Sequence, residues 1–307
     1  MLIPPTYLDK PVTAILDNAF AGANIKSVLI SENITSIAGV AFSDCYTLEA
    51  IDVDPLNTAY SSIDGNLYDK LGTKLIRYAS GKTAASFTTP ASVTEIAAEA
   101  FSGCNSITSV SIGASVNVIG ERAFAYCPSL SDITVSSSNS KFSSKNGSLY
   151  NKNGTTLIAY AGSAKSFTVP SGVTEIGAYS FMNCTKLEAV TFSNTVEVIG
   201  TAAFKGCTSL IKATLSDSVT VIESYAFADC IKLSEITLGE LINTVGDYAF
   251  SGCSSLAVVN YNNFEEEFKE INISKSGNAP LTSATKNYLK NDEVSDGVVG
   301  DTPIIGA

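Results

Sequence analysis

The sequence predicts an α/β solenoid of mainly short parallel β-strands, and three observations carry that prediction. An aromatic recurs as Phe20, Phe42, Phe101, Phe124, Phe181, Phe204, Phe227 and Phe250, at intervals of 22, 59, 23, 57, 23, 23 and 23 residues. Three residues after every Phe but the first stands Cys45, Cys104, Cys127, Cys184, Cys207, Cys230 or Cys253, which together are all 7 Cys of the chain. Between these landmarks lie two short extended stretches, such as Val219 with Ile222 and Leu233 with Ile236 and Leu238, and the second ends on the alternation of a strand. A fixed period of this length marks a repeat architecture. One 23-residue unit is a coil that cannot bury its own apolar face, so coils must stack with equivalent residues on one another.

Taken in order, the first unit departs from the pattern only in having Ala23 where Cys is expected, as terminal repeats do. Turns follow the Val-x-x-Ile stretch, often at Gly (Gly120, Gly177, Gly200, Gly246), where the missing Cβ permits close backbone geometry. The two long intervals hold related insertions, at about 56–90 and 139–170. The first carries Asp64-Gly65-Asn66-Leu67-Tyr68, Leu75-Ile76-Arg77-Tyr78 and Phe87-Thr88-Thr89-Pro90; the second carries Asn146-Gly147-Ser148-Leu149-Tyr150, Leu157-Ile158-Ala159-Tyr160 and Phe167-Thr168-Val169-Pro170. Gly-flanked apolar runs of this kind predict a β-hairpin added to a longer coil. Residues 1–261 are thus expected to form the solenoid, 262–290 a C-terminal cap, and 291–307, without periodicity, a linker or disordered tail.

Composition excludes several functions. The net charge of −11 with no basic segment argues against nucleic acid and anionic membrane surfaces as partners. No run approaches ~18 apolar residues, so no transmembrane helix is expected. Met1-Leu2-Ile3-Pro4-Pro5 lacks the basic start and apolar run of a signal peptide, although a chain whose leader has been removed would look the same. With no His, the Ser-His-Asp and Cys-His arrangements are excluded. The nearest Cys are 23 residues apart, which is not zinc-ligand spacing. Stacking brings equivalent Cys close, but with parallel Cβ directions that suit buried free thiols better than disulfides. No catalytic residue, cofactor or metal is therefore expected.

The pattern C-x-x-L-x-x-I-x-(I/L)-P-x-x-V-x-x-I-G-x-x-A-F resembles the BspA-like, or Treponema-type, leucine-rich repeats over roughly residues 12–290. The inserted G-x-L-Y…L-I-x-Y segments are similar to hairpins of that family, as is the ending from Glu265 to Ala284, in which Phe268 stands where Trp is usual. The resemblance implies a secreted or cell-surface bacterial protein associated with adhesion to host or extracellular proteins, and together with the residues it leads us to expect a non-enzymatic module that binds extracellular or host matrix proteins or glycans. The alternative is a targeting or spacer region of a larger surface enzyme. A monomer is expected.

Two sets of residues are candidates for ligand contact. One is an outward column on the sheet face, Thr134, Thr168, Thr191, Thr214 and Thr237, although Thr also suits any solvated strand. The other is the set of hairpin tyrosines, Tyr68, Tyr78, Tyr150 and Tyr160, expected to project as amphipathic interface anchors, with packing against their own coil as the other reading. The acidic run Glu265, Glu266 and Glu267 reads as a solvated helix covering the last coil.

Overall fold

The computed structural model describes residues 1–290, so the expected tail at 291–307 lies outside the described residues. Each coil contributes a strand of three or four residues to a main face and, after a turn, a two-residue strand to a second face. Main-face strands run from Ser27–Ile30 to Thr285–Tyr288 and pair in parallel with their equivalents one coil away. The register keeps like beside like: Val190 lies opposite Ala213, and Ile236 opposite Val259. A shift of one residue would turn the buried Val and Ile to solvent, so the apolar pattern itself holds the register. The expected solenoid is a β-solenoid with few helices, since among the described residues helix is confined to Glu265–Glu270 and Ala279–Ser283. Elsewhere the coils close through tight turns; at Gly120 a Cβ would lie 2.2 Å from the Ala98 nitrogen, so only Gly fits.

The Phe column is a stack of near-parallel rings. Phe181, Phe204, Phe227 and Phe250 follow one another at centroid distances of 4.6, 5.1 and 5.3 Å. The Cys column has a second role beside filling space. The thiols of Cys45, Cys127, Cys207, Cys230 and Cys253 each donate to the carbonyl of the Phe one coil earlier, over 2.9–3.2 Å. Each of these carbonyls also accepts the backbone amide three residues on, and the thiol, a small side chain with a weak donor, supplies a second bond. All seven Cys are free thiols.

Each insertion is a three-stranded antiparallel meander: Tyr60–Ile63, Asn66–Asp69 and Lys74–Arg77, then Phe142–Lys145, Ser148–Asn151 and Thr156–Ala159. The Asp64-Gly65 and Asn146-Gly147 tips hold positive φ at both residues, as a two-residue hairpin turn requires. The third strand of each meander joins the second-face sheet, beside Glu95–Ile96 or Glu175–Ile176. The tips end the main face, because the Gly65 and Gly147 carbonyls take the Ile51 and Ile133 amides that a next strand would have taken. The main face is thereby split into sheets of 2, 3 and 6 strands, and the core into three clusters. The middle strand of each meander is the wall between two cores. Leu67 packs into the first and Tyr68 into the second; Leu149 packs into the second and Tyr150 into the third.

A buried Asn locks each meander to the coil before it. The Asn139 amide nitrogen donates to the Gly113 and Val116 carbonyls, and its oxygen accepts from the Lys141 and Phe142 amides, all at 2.8 Å. Asn57 makes the same four bonds one block earlier. Replacing Asn139 by Ala should leave these backbone groups without partners at a 1% exposed position. The expected loss is about 3 kcal/mol, read as a lower urea midpoint with an unchanged slope.

The cap is a further coil. Thr285–Tyr288 extends the main face and Asn272–Ile273 the second face. Leu281, Ile271 and Phe268 cover the last core layer, with the Phe268 ring edge-on to Tyr261 at 5.5 Å. The acidic helix that carries Phe268 is exposed, and Lys269 pairs with Glu265 and Glu266 at 3.2 and 2.9 Å.

Candidate functional site

The main face of the C-terminal sheet presents one unbroken polar column. Thr168, Thr191, Thr214, Thr237, Asn260 and Asn287 are direct register partners across six strands. They point outward because the residues on either side, such as Val190 and Phe192, fill the core. Thr168 and Thr191 are exposed, Thr214 is half-buried, and Thr237 is only 8% exposed. Beside Thr237, the Glu235 carboxylate takes hydrogen bonds from Lys212 and Asn260 at 2.7 and 2.8 Å, so this end of the column is already engaged. Asn287 likewise donates to Asn260 at 2.9 Å. Thr134 is exposed but belongs to the preceding three-stranded sheet, where its hydroxyl lies 3.0 Å from that of Ser111. The structure therefore brings four of the five Thr together and leaves Thr134 across the second meander.

The four hairpin tyrosines do not project. Tyr68, Tyr78, Tyr150 and Tyr160 are 1, 2, 2 and 9% exposed, which corrects the expectation that they offer an aromatic contact surface. Tyr68 and Tyr150 face the core beyond their meander wall. Tyr78 and Tyr160 take the place of the column Phe in their coils and stack on Phe101 and Phe181 at 5.3 and 4.7 Å. Burial pushes the hydroxyls of Tyr68, Tyr78 and Tyr160 up to about 12. Two of the Tyr residues that do meet solvent lie on turns, two residues before the column Phe. Tyr225 and Tyr248 are 39 and 40% exposed and stack at 5.1 Å, with the Lys205 ammonium 5.3 Å from the Tyr225 ring centre. The positive φ of 60 and 56° at these two residues turns their side chains out. The signal was in the sequence, as Tyr at a fixed offset from Phe (Tyr179, Tyr225, Tyr248), but the offset has no meaning until the turn conformation is known.

One cavity, of about 240 Å³, opens between the Ile119–Leu130 part of the second block and the coil that follows its meander. Phe124, Ala159, Tyr160, Tyr179, Ser180 and Met182 are among the residues that line it. Cys127 and Cys184, also in its wall, are the two half-buried thiols; the other five are buried.

A family model described as the BspA type leucine rich repeat region matches residues 6–75, 78–154 and 154–277, in 6 copies. The crystal structure of the pneumococcal vaccine antigen PcpA is similar, with 24% sequence identity, a TM-score of 0.57, and coverage of 85% of this chain and 71% of that one. A leucine-rich repeat protein from Eubacterium ventriosum is 25% identical with a TM-score of 0.51; the match covers 84% of this chain and spans 59% of the Eubacterium protein. A leucine rich cell surface protein from Faecalibacterium prausnitzii is 23% identical over 88% of this chain and 89% of its own, with a TM-score of 0.46. No curated protein matches the chain.

Proposed function

The chain belongs to the BspA-type leucine-rich repeat family, and from that premise we propose that it is a non-enzymatic recognition or adhesion module at the cell surface or in the secreted phase. Its ligand in this reading is an extracellular or host matrix protein or a glycan, held on the main face of the C-terminal sheet. The observation that carries the reading is the in-register column from Thr168 to Thr237, flanked by the Lys165–Glu188 and Lys212–Glu235 pairs at 2.8 and 2.7 Å. Hydroxyls repeated at the ~4.8 Å spacing of strands offer donors and acceptors to an extended ligand without any cost of ordering the receptor.

Charge complementarity is limited to those pairs, so affinity is expected to change little with salt. The test is a binding screen against immobilised matrix proteins and glycans, repeated with the double variant Thr168→Arg, Thr191→Arg and with Tyr225→Ser, Tyr248→Ser. Binding should fall about tenfold or more in the first variant, through steric occlusion of the face, a loss of about 1.4 kcal/mol. Loss in the turn-Tyr variant alone, or turnover in a hydrolase panel that one carboxylate substitution abolishes, would replace this reading.

A further inference from the structure

The two meanders are copies of one device, and a comparison between them gives the cavity a chemistry. In the first, Arg77 is 3% exposed and its guanidinium sits at the junction between cores, on backbone carbonyls alone. Nη1 donates to the Glu99 carbonyl at 2.9 Å, and Nη2 to those of Phe42 and Ser102 at 3.2 and 3.0 Å. A buried cation without a carboxylate partner is costly unless several oriented dipoles face it, and this junction is a carbonyl cradle that engages both terminal nitrogens of the guanidinium while Nε has no partner.

The cradle has an evident origin. Within a block, the carbonyl of each column Phe accepts both the amide three residues on and the Cys thiol of the next coil, but Phe42 and Phe124 end their blocks and receive neither of these bonds. At the first junction Arg77 supplies the donor. At the second, Ala159 occupies the position of Arg77, and the cavity lies where the guanidinium would be.

The backbone of the second junction repeats that of the first. The Tyr160 amide donates to the Ser180 carbonyl as the Tyr78 amide does to that of Ala100, both at 2.8 Å. Thr156 and Leu157 pair with Glu175 and Ile176 as Lys74 and Leu75 pair with Glu95 and Ile96. Phe124, Tyr179 and Met182, the counterparts of Phe42, Glu99 and Ser102, all line the cavity. Among the described residues no donor reaches the Phe124 or Met182 carbonyl. Ser180 adds a buried hydroxyl with no partner.

The wall carries two carboxylates and two cations. Glu121 and Glu175, in the wall, have no cationic partner among the described residues. The two cations are each already engaged: Arg122 with Glu99 and the Tyr179 ring, Lys186 with the Pro128 carbonyl at 3.5 Å. The junction is also wetter than its counterpart, since Phe124 and Tyr160 are each 9% exposed where Phe42 and Tyr78 are 3 and 2%. At about 240 Å³ the cavity is smaller than the ~300–1,000 Å³ of ordinary small-molecule sites, which suits one side chain.

The geometry points to a receptor for a guanidinium group, the side chain of an arginine presented by a protein ligand, which completes in trans the cradle that Arg77 completes in cis. This site is separate from the sheet face, and either can fail without the other.

Three probes test it by calorimetry on the full chain: Nα-acetyl-arginine methylamide and its lysine and citrulline counterparts. Saturable binding of the arginine probe is expected, with the uncharged citrulline isostere and the unforked lysine each about tenfold weaker or more. Bound arginine probe should also slow alkylation of Cys127 and Cys184. Ala159→Arg should abolish probe binding, protect both thiols and raise the melting temperature above that of Ala159→Met, which fills the same space without donors. The proposal is overturned by an absence of saturable arginine binding, by citrulline binding equally well, or by an Arg variant that melts below the Met variant or does not fold. Sheet-face variants such as Thr191→Arg should leave probe binding unchanged; if they abolish it, the probe is on the face and not in the cavity.

Discussion

Between pH 9 and pH 12 the folded chain is expected to lose most or all of its stability. Burial raises the hydroxyls of Tyr68, Tyr78 and Tyr160 to about 12 from an ordinary value near 10, and the Cys253 thiol to about 12 from near 9. Burial holds the Cys207 and Cys230 thiols well above their ordinary range too. These groups are neutral when protonated and charged when not, so the folded state keeps protons that the unfolded state releases. Below about pH 9 both states are protonated and the stability is intact. From there it declines as the thiols and then the phenols of the unfolded chain ionise, until the folded-state values are passed. Each of the three phenols accounts for about 2 kcal/mol by pH 12, and together they reach the ~5–15 kcal/mol range of a typical domain. A circular-dichroism titration should show a cooperative alkaline transition. Tyr78→Phe with Tyr160→Phe should move its midpoint upward, and a midpoint indifferent to that pair would assign the transition to other groups.

Removing one ring from the middle of the aromatic stack should be nearly as damaging at neutral pH. Phe227 is fully buried and lies between Phe204 and Phe250 at 5.1 and 5.3 Å. Phe227→Ala should cost about 3–5 kcal/mol, because the lost transfer energy is joined by a cavity that two rigid neighbouring coils cannot close. Phe20 is half-buried and stacks on Phe42 alone, at 5.3 Å, so Phe20→Ala should cost about 1–2 kcal/mol. In a solenoid each coil is stabilised by its neighbours, and breaking the stack in its longest run should also broaden the urea transition or divide it in two. Equal losses from the two substitutions would mean that the column does not transmit stability along the stack.

The period, the inward Phe and Cys columns and the Thr register were legible in the sequence, because stacking places every coil in the same environment and each environment selects the same residue. What could not be read was direction inside the meanders. In Asn66-Leu67-Tyr68 and Ser148-Leu149-Tyr150 every residue is buried, since the strand has a core on each side, and alternation carries no sign of in or out there. Arg77 posed a similar difficulty. An Arg between Ile76 and Tyr78 reads as a solvent-facing residue, and only its three carbonyl partners mark the second copy, with Ala159, as incomplete. The turn tyrosines were visible as letters, but their outward direction depends on a left-handed backbone that no spacing encodes.

The partition walls bear on mechanics. Parallel strands tie coils together along most of the length, but neither face has a ladder across a wall. At the first wall, Arg77, Ser80 and the Gly81 amide stitch back to the Phe42, Cys45 and Leu48 carbonyls. At the second, Ala159 and Gly162 stand in place of Arg77 and Ser80, and those side-chain stitches are absent. A molecule pulled end to end would therefore yield first beside residue 159, shedding load by parting one joint while the six-stranded segment beyond it stays whole.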